Sequence, residues 1–359
     1  MIHASRNLTT ISLKTAGFLV LAAGLTISGC ATRKPKPVET PVVPGQASSW
    51  KATAVDVSRV REDAITTVTQ ISRSDDAQLR ANAVEAASFA PQRLKDILDA
   101  GLTDRIAGVR SVAASAVGRA QIRPLVNKVK PLINDKSDHV KASAIYAMLK
   151  NGERADQSPL AVMLMSSESP WVSRQAAYVL GELGNRSALP MLRSASASRT
   201  NVLEPSQQRA FQLQVIEAMV KLGEQDQLPA LRAALYPSQV DEFDSAVLAI
   251  QILGELRDRE AIGQLTSILQ YTDKSGAANP PEMRLAAAGA LARMGVDNAA
   301  AEADQYVTHP SAAIRAQAAS VYGNHPGPKY WDRLKALMTD KDPMVRISAA
   351  AGVLKSGTK

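Results

Sequence analysis

The stretch "DKDPMVRISAAAGVLKSG", from Asp340 to Gly357, recurs in altered form elsewhere in the chain. Close variants are "DRIAGVRSVAASAVG" from Asp104 to Gly118 and "PEMRLAAAGALARMG" from Pro281 to Gly295. In each variant, an apolar residue followed by arginine opens a segment whose apolar residues are spaced as on one helix face. Many of these residues are alanines, which let neighbouring helices approach closely. The recurrence predicts stacked helices of one repeated kind.

Aligned on its first apolar residue, the phrase occurs nine times, at intervals of 30 to 39 residues that are mostly close to 31. The copies begin at Leu79, Val109, Val140, Val172, Phe211, Ser245, Met283, Ile314 and Val345. A period near 31 residues indicates a solenoid. Shorter apolar segments such as "PLVNKVKPLI" (Pro124 to Ile133) lie between the copies. Each unit is therefore predicted to be a two-helix hairpin.

The expected ends of the repeated helix are also marked in the sequence. Residues favoured at helix N-caps stand three positions before the start in five copies. They are Asp76, Ser137, Ser169, Ser311 and Asp342. Twelve positions after the start, five copies have a glycine, which favours the left-handed backbone at a helix end. These glycines are Gly152, Gly184, Gly223, Gly295 and Gly357.

The consensus V-R-x-x-A-A-x-A-L-G-x-L-G resembles the HEAT repeat, in the short form also seen in phycobilin lyases. The resemblance covers about residues 75–357 and implies an all-α fold, a right-handed α-solenoid of about nine two-helix repeats. A helix over residues 51–72 would cap the first repeat. The resemblance also implies a structural ladder, in which the basic residue after the start pairs with acidic groups of an adjacent turn. The ladder residues are Arg80, Arg110, Lys141, Arg284, Arg315 and Arg346. Copies four to six have Ser173, Gln212 and Ala246 there.

The N-terminus has the layout of a secretory signal peptide, with basic residues before the apolar run "AGFLVLAAGLTI". This run, from Ala16 to Ile27, is shorter than the roughly 20 residues that a membrane-spanning helix needs. The following "ISGC" resembles the lipobox of bacterial lipoproteins, which implies cleavage after Gly29 and lipidation of Cys30. Cys30 is the only cysteine of the chain. Ala31 resembles the residue that directs lipoproteins of Gram-negative bacteria to the outer membrane, facing the periplasm.

These features predict three parts of the chain. Residues 1–29 are a signal peptide that is removed, residues 30–50 are the lipidated cysteine and a proline-rich linker, and residues 51–359 are the solenoid. Proline fixes φ and stiffens such a linker, which could reach roughly 60 Å from the membrane at about 3.1 Å per residue.

Charge and motifs argue against several classes of function. Roughly half of the net charge of +8 lies before the solenoid, and both signs alternate in the rest, so no nucleic-acid partner is expected. The four histidines form no local pair, and the lipidated cysteine leaves no thiolate, so neither a metal nor a cofactor is expected. Phosphate-binding and nucleophile-elbow motifs are absent, as are the His-Glu dipeptides of the HEAT-like deoxyhypusine hydroxylases. The sequence predicts no catalytic residue and no small-molecule substrate.

In HEAT arrays the second helix of each hairpin lines the concave side, and positions 3, 7 and 11 of the phrase lie on its less apolar stripe. Tyr146 and Tyr178 occupy position 7 in adjacent copies, and Arg119, Lys150 and Arg174 would border them. Tyrosine and arginine are enriched in binding hot spots, so these five residues are predicted to bind a protein partner. The alternative is that the tyrosines only fill the space between helices.

The sequence favours a non-enzymatic interaction scaffold of the cell envelope, attached to the membrane only through its lipid. Two alternatives are a chromophore-lyase-like or other enzyme accessory factor, and a binder of an anionic envelope polymer.

Overall fold

The computed structural model describes residues 54–197, 204–237 and 242–357. Cys30, the signal peptide and the linker lie outside these residues. Within the described ranges the secondary structure is helical, apart from one isolated antiparallel bridge between Thr272 and Ala278. The α-helices are α1 (Ala54–Ile71), α2 (Ala77–Ala87), α3 (Pro91–Leu102), α4 (Ala107–Arg119), α5 (Val126–Val129), α6 (Asp138–Lys150), α7 (Ser158–Ser166), α8 (Pro170–Leu183), α9 (Leu189–Ala197), α10 (Pro205–Lys221), α11 (Leu228–Ala233), α12 (Phe243–Leu256), α13 (Ile262–Gln270), α14 (Pro281–Arg293), α15 (Ala312–Asn324), α16 (Trp331–Leu337) and α17 (Pro343–Ser356). Short 3-10 helices are Arg123–Leu125, Lys130–Asn134, Arg186–Ala188, Gln225–Gln227, Arg259–Ala261, Ala299–Tyr306 and Pro328–Tyr330.

The described helices form nine hairpins, and each predicted copy of the phrase lies in the second helix of one hairpin. We call these second helices the inner helices: α2, α4, α6, α8, α10, α12, α14, α15 and α17. Each inner helix packs against the next one along the chain. The first segment of each hairpin is an outer helix, or the 3-10 helix Ala299–Tyr306 in the eighth hairpin. The prediction of an all-α solenoid is confirmed.

Small residues of the phrase lie where the backbones of successive inner helices meet. A Cβ atom on Gly181 would lie only 2.8 Å from the Cα atom of Ala218 on the next inner helix. Gly254 is equally close to its neighbour, and a Cβ on Gly323 would overlap the backbone of Gly352. Glycine at the tenth position of the phrase therefore allows a helix spacing that a larger residue would widen.

The two ends of the solenoid contact each other. Helix α17 packs against both α1 and α2, so the inner helices close into a ring. At this junction, Arg61 Nη1 donates to the carbonyl oxygen of Gly357 (3.3 Å) and Asn82 Nδ2 donates to Met344 Sδ (2.8 Å). One apolar cluster is continuous across it and includes Val60 of α1. Helix α1 therefore lies at the junction between the two ends, where it packs against the first and the last inner helix.

The helix ends follow the sequence in part. All five predicted N-cap residues stand at a helix start, but only the two aspartates accept backbone hydrogen bonds there. Asp76 accepts from Gln78 N (2.7 Å) and Leu79 N (3.2 Å), and Asp342 accepts from Met344 N (2.8 Å). Four of the five predicted glycines have a left-handed backbone, with φ between +74° and +105°. Gly357 has φ of −87° and is the exception.

Candidate functional site

The basic residue after the repeat start joins one hairpin to the next. In the first hairpin, Nε and Nη2 of Arg80 donate to both oxygens of Asp104 (2.7 and 2.9 Å), while Nη1 donates to two carbonyl oxygens of its own turn. The same arrangement recurs as Arg110 with Asp135 and as Arg315 with Asp340. Burial alone would raise the pKa of Asp104, but the hydrogen bond from Arg80 and one from a backbone N–H outweigh it and lower that pKa.

The other predicted ladder residues behave differently. Arg284 pairs with Glu302 (2.5 Å), whereas Lys141 pairs with Asp138 in its own helix (2.8 Å). Arg346 of the last hairpin donates only to two carbonyl oxygens of its own turn among the residues described. Only the contact of Arg284 joins two hairpins, but all three contacts use guanidinium or ammonium groups that a polyanion would otherwise bind.

The inner side of the ring holds a second set of charges, which the sequence analysis identified only in part. It comprises side chains at positions 7 and 11 of the phrase, and we call it the lumen network. Its members are Glu85, Arg119, Lys150, Glu182, Glu217, Lys221, Glu255, Arg293, Asn324 and Lys355. Opposite charges from neighbouring inner helices form ion pairs within it. These are Arg119 with Glu85 (2.7 Å), Lys221 with Glu182 (2.6 Å) and Arg293 with Glu255 (3.1 Å).

Electrostatic effects reach across the lumen. Burial lowers the pKa of Lys355 to about 7, helped by the positive charge of Arg293 and opposed by Glu255 and Glu85. Burial also raises the pKa of Glu255 to about 7, helped by the negative charge of Glu217. These charges stand on α2, α10, α12, α14 and α17, so side chains of inner helices that are not all adjacent lie near one another. The lumen is therefore narrow, and the pKa values of the groups that line it depend on one another's charge.

The two tyrosines predicted at the centre of a binding surface line this narrow space. Tyr146 is 2% exposed and Tyr178 is 5% exposed, so the expected exposed aromatic centre is wrong. The ring of Tyr146 packs against Gly118, where a Cβ atom would lie 2.7 Å from it. Lys221 Nζ lies 5.0 Å from the ring centroid of Tyr178. Burial raises the pKa of both phenols, that of Tyr146 to about 12. The alternative, that the tyrosines fill space between helices, describes the structure.

The three basic residues predicted beside these tyrosines lie in different surroundings. Arg119 is paired with Glu85, as described above. Lys150 Nζ donates to the carbonyl oxygen of Glu182 (3.4 Å). Arg174 lies near the start of α8, at the rim of the ring where outer helices connect to inner ones. The predicted set is therefore not one patch.

Arg174 stacks on Trp171, with its guanidinium carbon 5.1 Å from the ring centroid. Its Nε is buried and has no hydrogen-bond partner in the described part of the chain. Burial lowers the pKa of this guanidinium to about 10, and only the charge of Glu217 opposes the shift. The sequence analysis did not select Trp171. The signal was the spacing of the two residues, since side chains three apart on a helix are neighbours.

Next to Arg174, a buried hydrogen-bond network joins α4, α6 and α8. Gln175 Nε2 donates to Ser143 Oγ (2.7 Å), and Ser143 Oγ also contacts Ser111 Oγ (2.8 Å) and Ser115 Oγ (2.9 Å). His139 Nδ1 bonds to Gln175 Oε1. With its hydroxyl groups bonded to one another, this network fixes three inner helices in place. The described residues contain no cluster of side chains suited to hold a metal ion.

Three long connections in the sequence lead to inner helices that begin on the rim that carries Arg174. They join α9 to α10, α11 to α12 and α13 to α14, within consecutive hairpins. Two of the few exposed large apolar side chains stand at this rim, Tyr236 after α11 (55% exposed) and Tyr271 after α13 (52% exposed). In repeat proteins, insertions of this kind map to one face, which is often the binding face.

Residues 158–248 match a family model described as HEAT repeats. Among solved structures, a chain of the complex of CpcE and CpcF of phycocyanin lyase from Nostoc sp. PCC7120 is 17% identical, with 81% of this chain and 98% of that chain covered, at a TM-score of 0.40. Human deoxyhypusine hydroxylase is 16% identical, with 84% and 99% covered, at a TM-score of 0.33. Kap121p is 12% identical, with 80% and 37% covered, at a TM-score of 0.32. At such values no function is carried over. A search of curated proteins finds no match.

Proposed function

We propose that this chain is a non-catalytic interaction scaffold, which binds a protein of the cell envelope through the rim that carries its long connections. The observation that carries the proposal is the exposure of Tyr236 and Tyr271 beside those connections. Tyrosine side chains are enriched in the hot spots of protein-binding surfaces. HEAT repeats, which match within residues 158–248, suggest such a role.

The closed ring changes where on the molecule a partner binds. The concave side of an open solenoid is a groove, but here it is a narrow lumen filled by the lumen network and by buried tyrosines. A folded partner therefore meets the rims and the outer side. The alternation of acidic and basic groups in the lumen gives an anionic polymer no continuous positive surface to follow.

The proposal places the protein at the membrane through Cys30. This part rests on the sequence "ISGC" after a short apolar run, and on the proline-rich linker that separates it from the ring. No helix in the described ranges combines the length and hydropathy of a membrane span. Ala31 favours the outer membrane, with the ring in the periplasm.

The test is photo-crosslinking in intact cells, with a photoreactive amino acid at position 236 or 271 of the full chain. Gln92, on the exposed side of outer helix α3, is the control position. We expect a discrete crosslinked envelope protein from positions 236 and 271 and none from position 92. The Cys30→Ser variant should remain an unprocessed precursor and lose the crosslink. Equal crosslinking from all three positions, or none from any of them, would contradict the proposal.

A further inference from the structure

Arg174 differs from the other arginines of the inner helices in what its guanidinium group contacts. An acidic side chain pairs with each of Arg80, Arg110, Arg119, Arg209, Arg284, Arg293 and Arg315. Arg346 donates to two carbonyl oxygens. In the described ranges, Arg174 has neither a hydrogen bond nor an ion pair, and its Nε is a buried donor without an acceptor. A buried hydrogen-bond donor that lacks an acceptor destabilises a protein by about 1–3 kcal/mol. The unpaired state of Arg174 therefore requires an explanation.

The acidic group that acts on Arg174 already has other partners. Glu217 is 4% exposed, and its Oε1 accepts from Lys221 Nζ (2.5 Å). Its Oε2 accepts from Gln214 Nε2. Both carboxylate oxygens are thus occupied, and Glu217 compensates the charge of Arg174 only through space. The neighbouring polar side chains are also engaged, since Ser173 Oγ donates to the carbonyl oxygen of Met163 (3.1 Å).

Trp171 gives the unpaired guanidinium group a defined orientation. Stacking over an aromatic ring occupies one face of the planar group and uses none of its N–H donors. Those donors match the two oxygens of a carboxylate, which arginine binds bidentately. Trp171 is only partly buried, so it also offers apolar surface directly beside the cation.

We infer that Trp171 and Arg174 form a docking site for an Asp or Glu side chain in an extended acidic segment of a partner protein. Charge complementarity selects the carboxylate, and the exposed part of the indole selects a chain with an apolar residue beside it. The site lies on the rim that carries the long connections, and the inference rests on the scaffold proposed above. An incoming carboxylate would give Arg174 the partner that every paired arginine of the inner helices already has.

The binding test uses the full chain purified in detergent and two fluorescent peptides, one alternating leucine with glutamate and one alternating leucine with glutamine. Fluorescence anisotropy should show that the glutamate peptide binds at least about tenfold more tightly, as expected for hydrogen bonds to a charged group. Arg174→Gln and Trp171→Ala should each weaken its binding by about tenfold. The matched control is Arg154→Gln, which alters an exposed arginine in the loop between α6 and α7 and should change nothing.

Stability separates a docking role from a structural one. Arg174→Gln removes an unpaired charge, so its unfolding midpoint in urea should equal or exceed that of the wild type. A clear decrease would show that Arg174 supports the fold and would overturn the inference. Equal affinity for the two peptides, or unchanged affinity after Arg174→Gln, would also overturn it. If Arg174 instead mediates binding to phosphatidylglycerol vesicles, with no binding of the glutamate peptide, the site belongs to a lipid surface.

The two proposals can fail separately. If positions 236 and 271 form crosslinks in cells but the glutamate peptide does not bind the wild type, the docking site at Arg174 is rejected and the proposed scaffold function is retained. Peptide binding that depends on Arg174, with no crosslink in cells, would support the site and reject the proposed function.

Discussion

Replacing Gly181 with alanine tests the close contact of inner helices from which the fold is built. The added Cβ would lie 2.8 Å from the Cα of Ala218 and 3.0 Å from its Cβ. Carbon atoms pack at about 3.5–4.0 Å, so α8 and α10 would have to separate by roughly 0.7 Å. Overpacking of this kind costs about 1–3 kcal/mol, and the better helix propensity of alanine returns about 1 kcal/mol. We expect a net loss of about 0–2 kcal/mol.

Ring closure places the expected loss near the upper end of that range. An open solenoid accommodates a local separation of two helices by a small change of curvature, because its ends are free to move. In a closed ring the same displacement must be shared by the other contacts between inner helices, including that of α17 with α1 and α2. The substitution should therefore also weaken the junction between the first and last hairpins.

Urea unfolding of the full chain, followed by circular dichroism, measures the change in free energy. The matched control is Gly263→Ala in outer helix α13, where a Cβ would meet no atom within 4 Å. This control should stabilise the protein by about 1 kcal/mol through helix propensity alone. If Gly181→Ala stabilised the protein as much as this control does, the two inner helices would not be in contact at Gly181.

Three further predictions concern the ladder, acid stability and ring closure. Arg315→Gln should destabilise the protein by about 2–3 kcal/mol, because it leaves Asp340 half-buried without its bidentate partner. Arg93→Gln breaks an exposed ion pair and should destabilise the protein much less, and denaturation in urea distinguishes the two variants. The hydrogen bond from Arg315 lowers the pKa of Asp340, so its contribution is complete above the unfolded pKa of about 3.9 and is lost as pH falls through the folded value. Melting temperatures should therefore fall steeply below about pH 4, and less so in Arg315→Gln; equal acid sensitivity would refute this. Cysteines replacing Asn82 and Met344, with the native cysteine changed to serine, should be joined by a short bifunctional crosslinker within one chain; failure to crosslink would show an open ring.

The local parts of the fold could be predicted from the sequence because their causes are local. The position of each inner helix follows from the spacing of apolar residues around starts such as Val109 and Val345. The ladder followed from a residue type at a fixed position, and Arg80 and Arg110 have the geometry expected of it. Lys141 departs from it because an aspartate in its own helix, three residues before it, is a nearer partner.

The candidate site could not be predicted in the same way, because exposure depends on the radius of the ring. Tyr146 and Tyr178 occupy positions that would be exposed on a wide concave surface and are buried in a narrow lumen. The pairing of Arg119 with Glu85 likewise depends on which inner helices are adjacent. Arg174 was selected for its type, but its isolation became visible only when every acidic side chain near it had been placed.

Ring closure itself has no motif, because it is the sum of small rotations between successive hairpins. One sequence feature related to ring closure is nevertheless present in α1. A capping helix needs one apolar face and a polar outer face, but α1 packs against α2, α3 and α17. Its apolar face is accordingly wide, with Val60, Ala64 and Val68 buried and Val57 and Ile65 partly buried. Helices from both ends of the stack cover this face, α2 and α3 from one end and α17 from the other. Because the last inner helix packs against α1 and α2, neither end of the stack leaves an uncovered hairpin face.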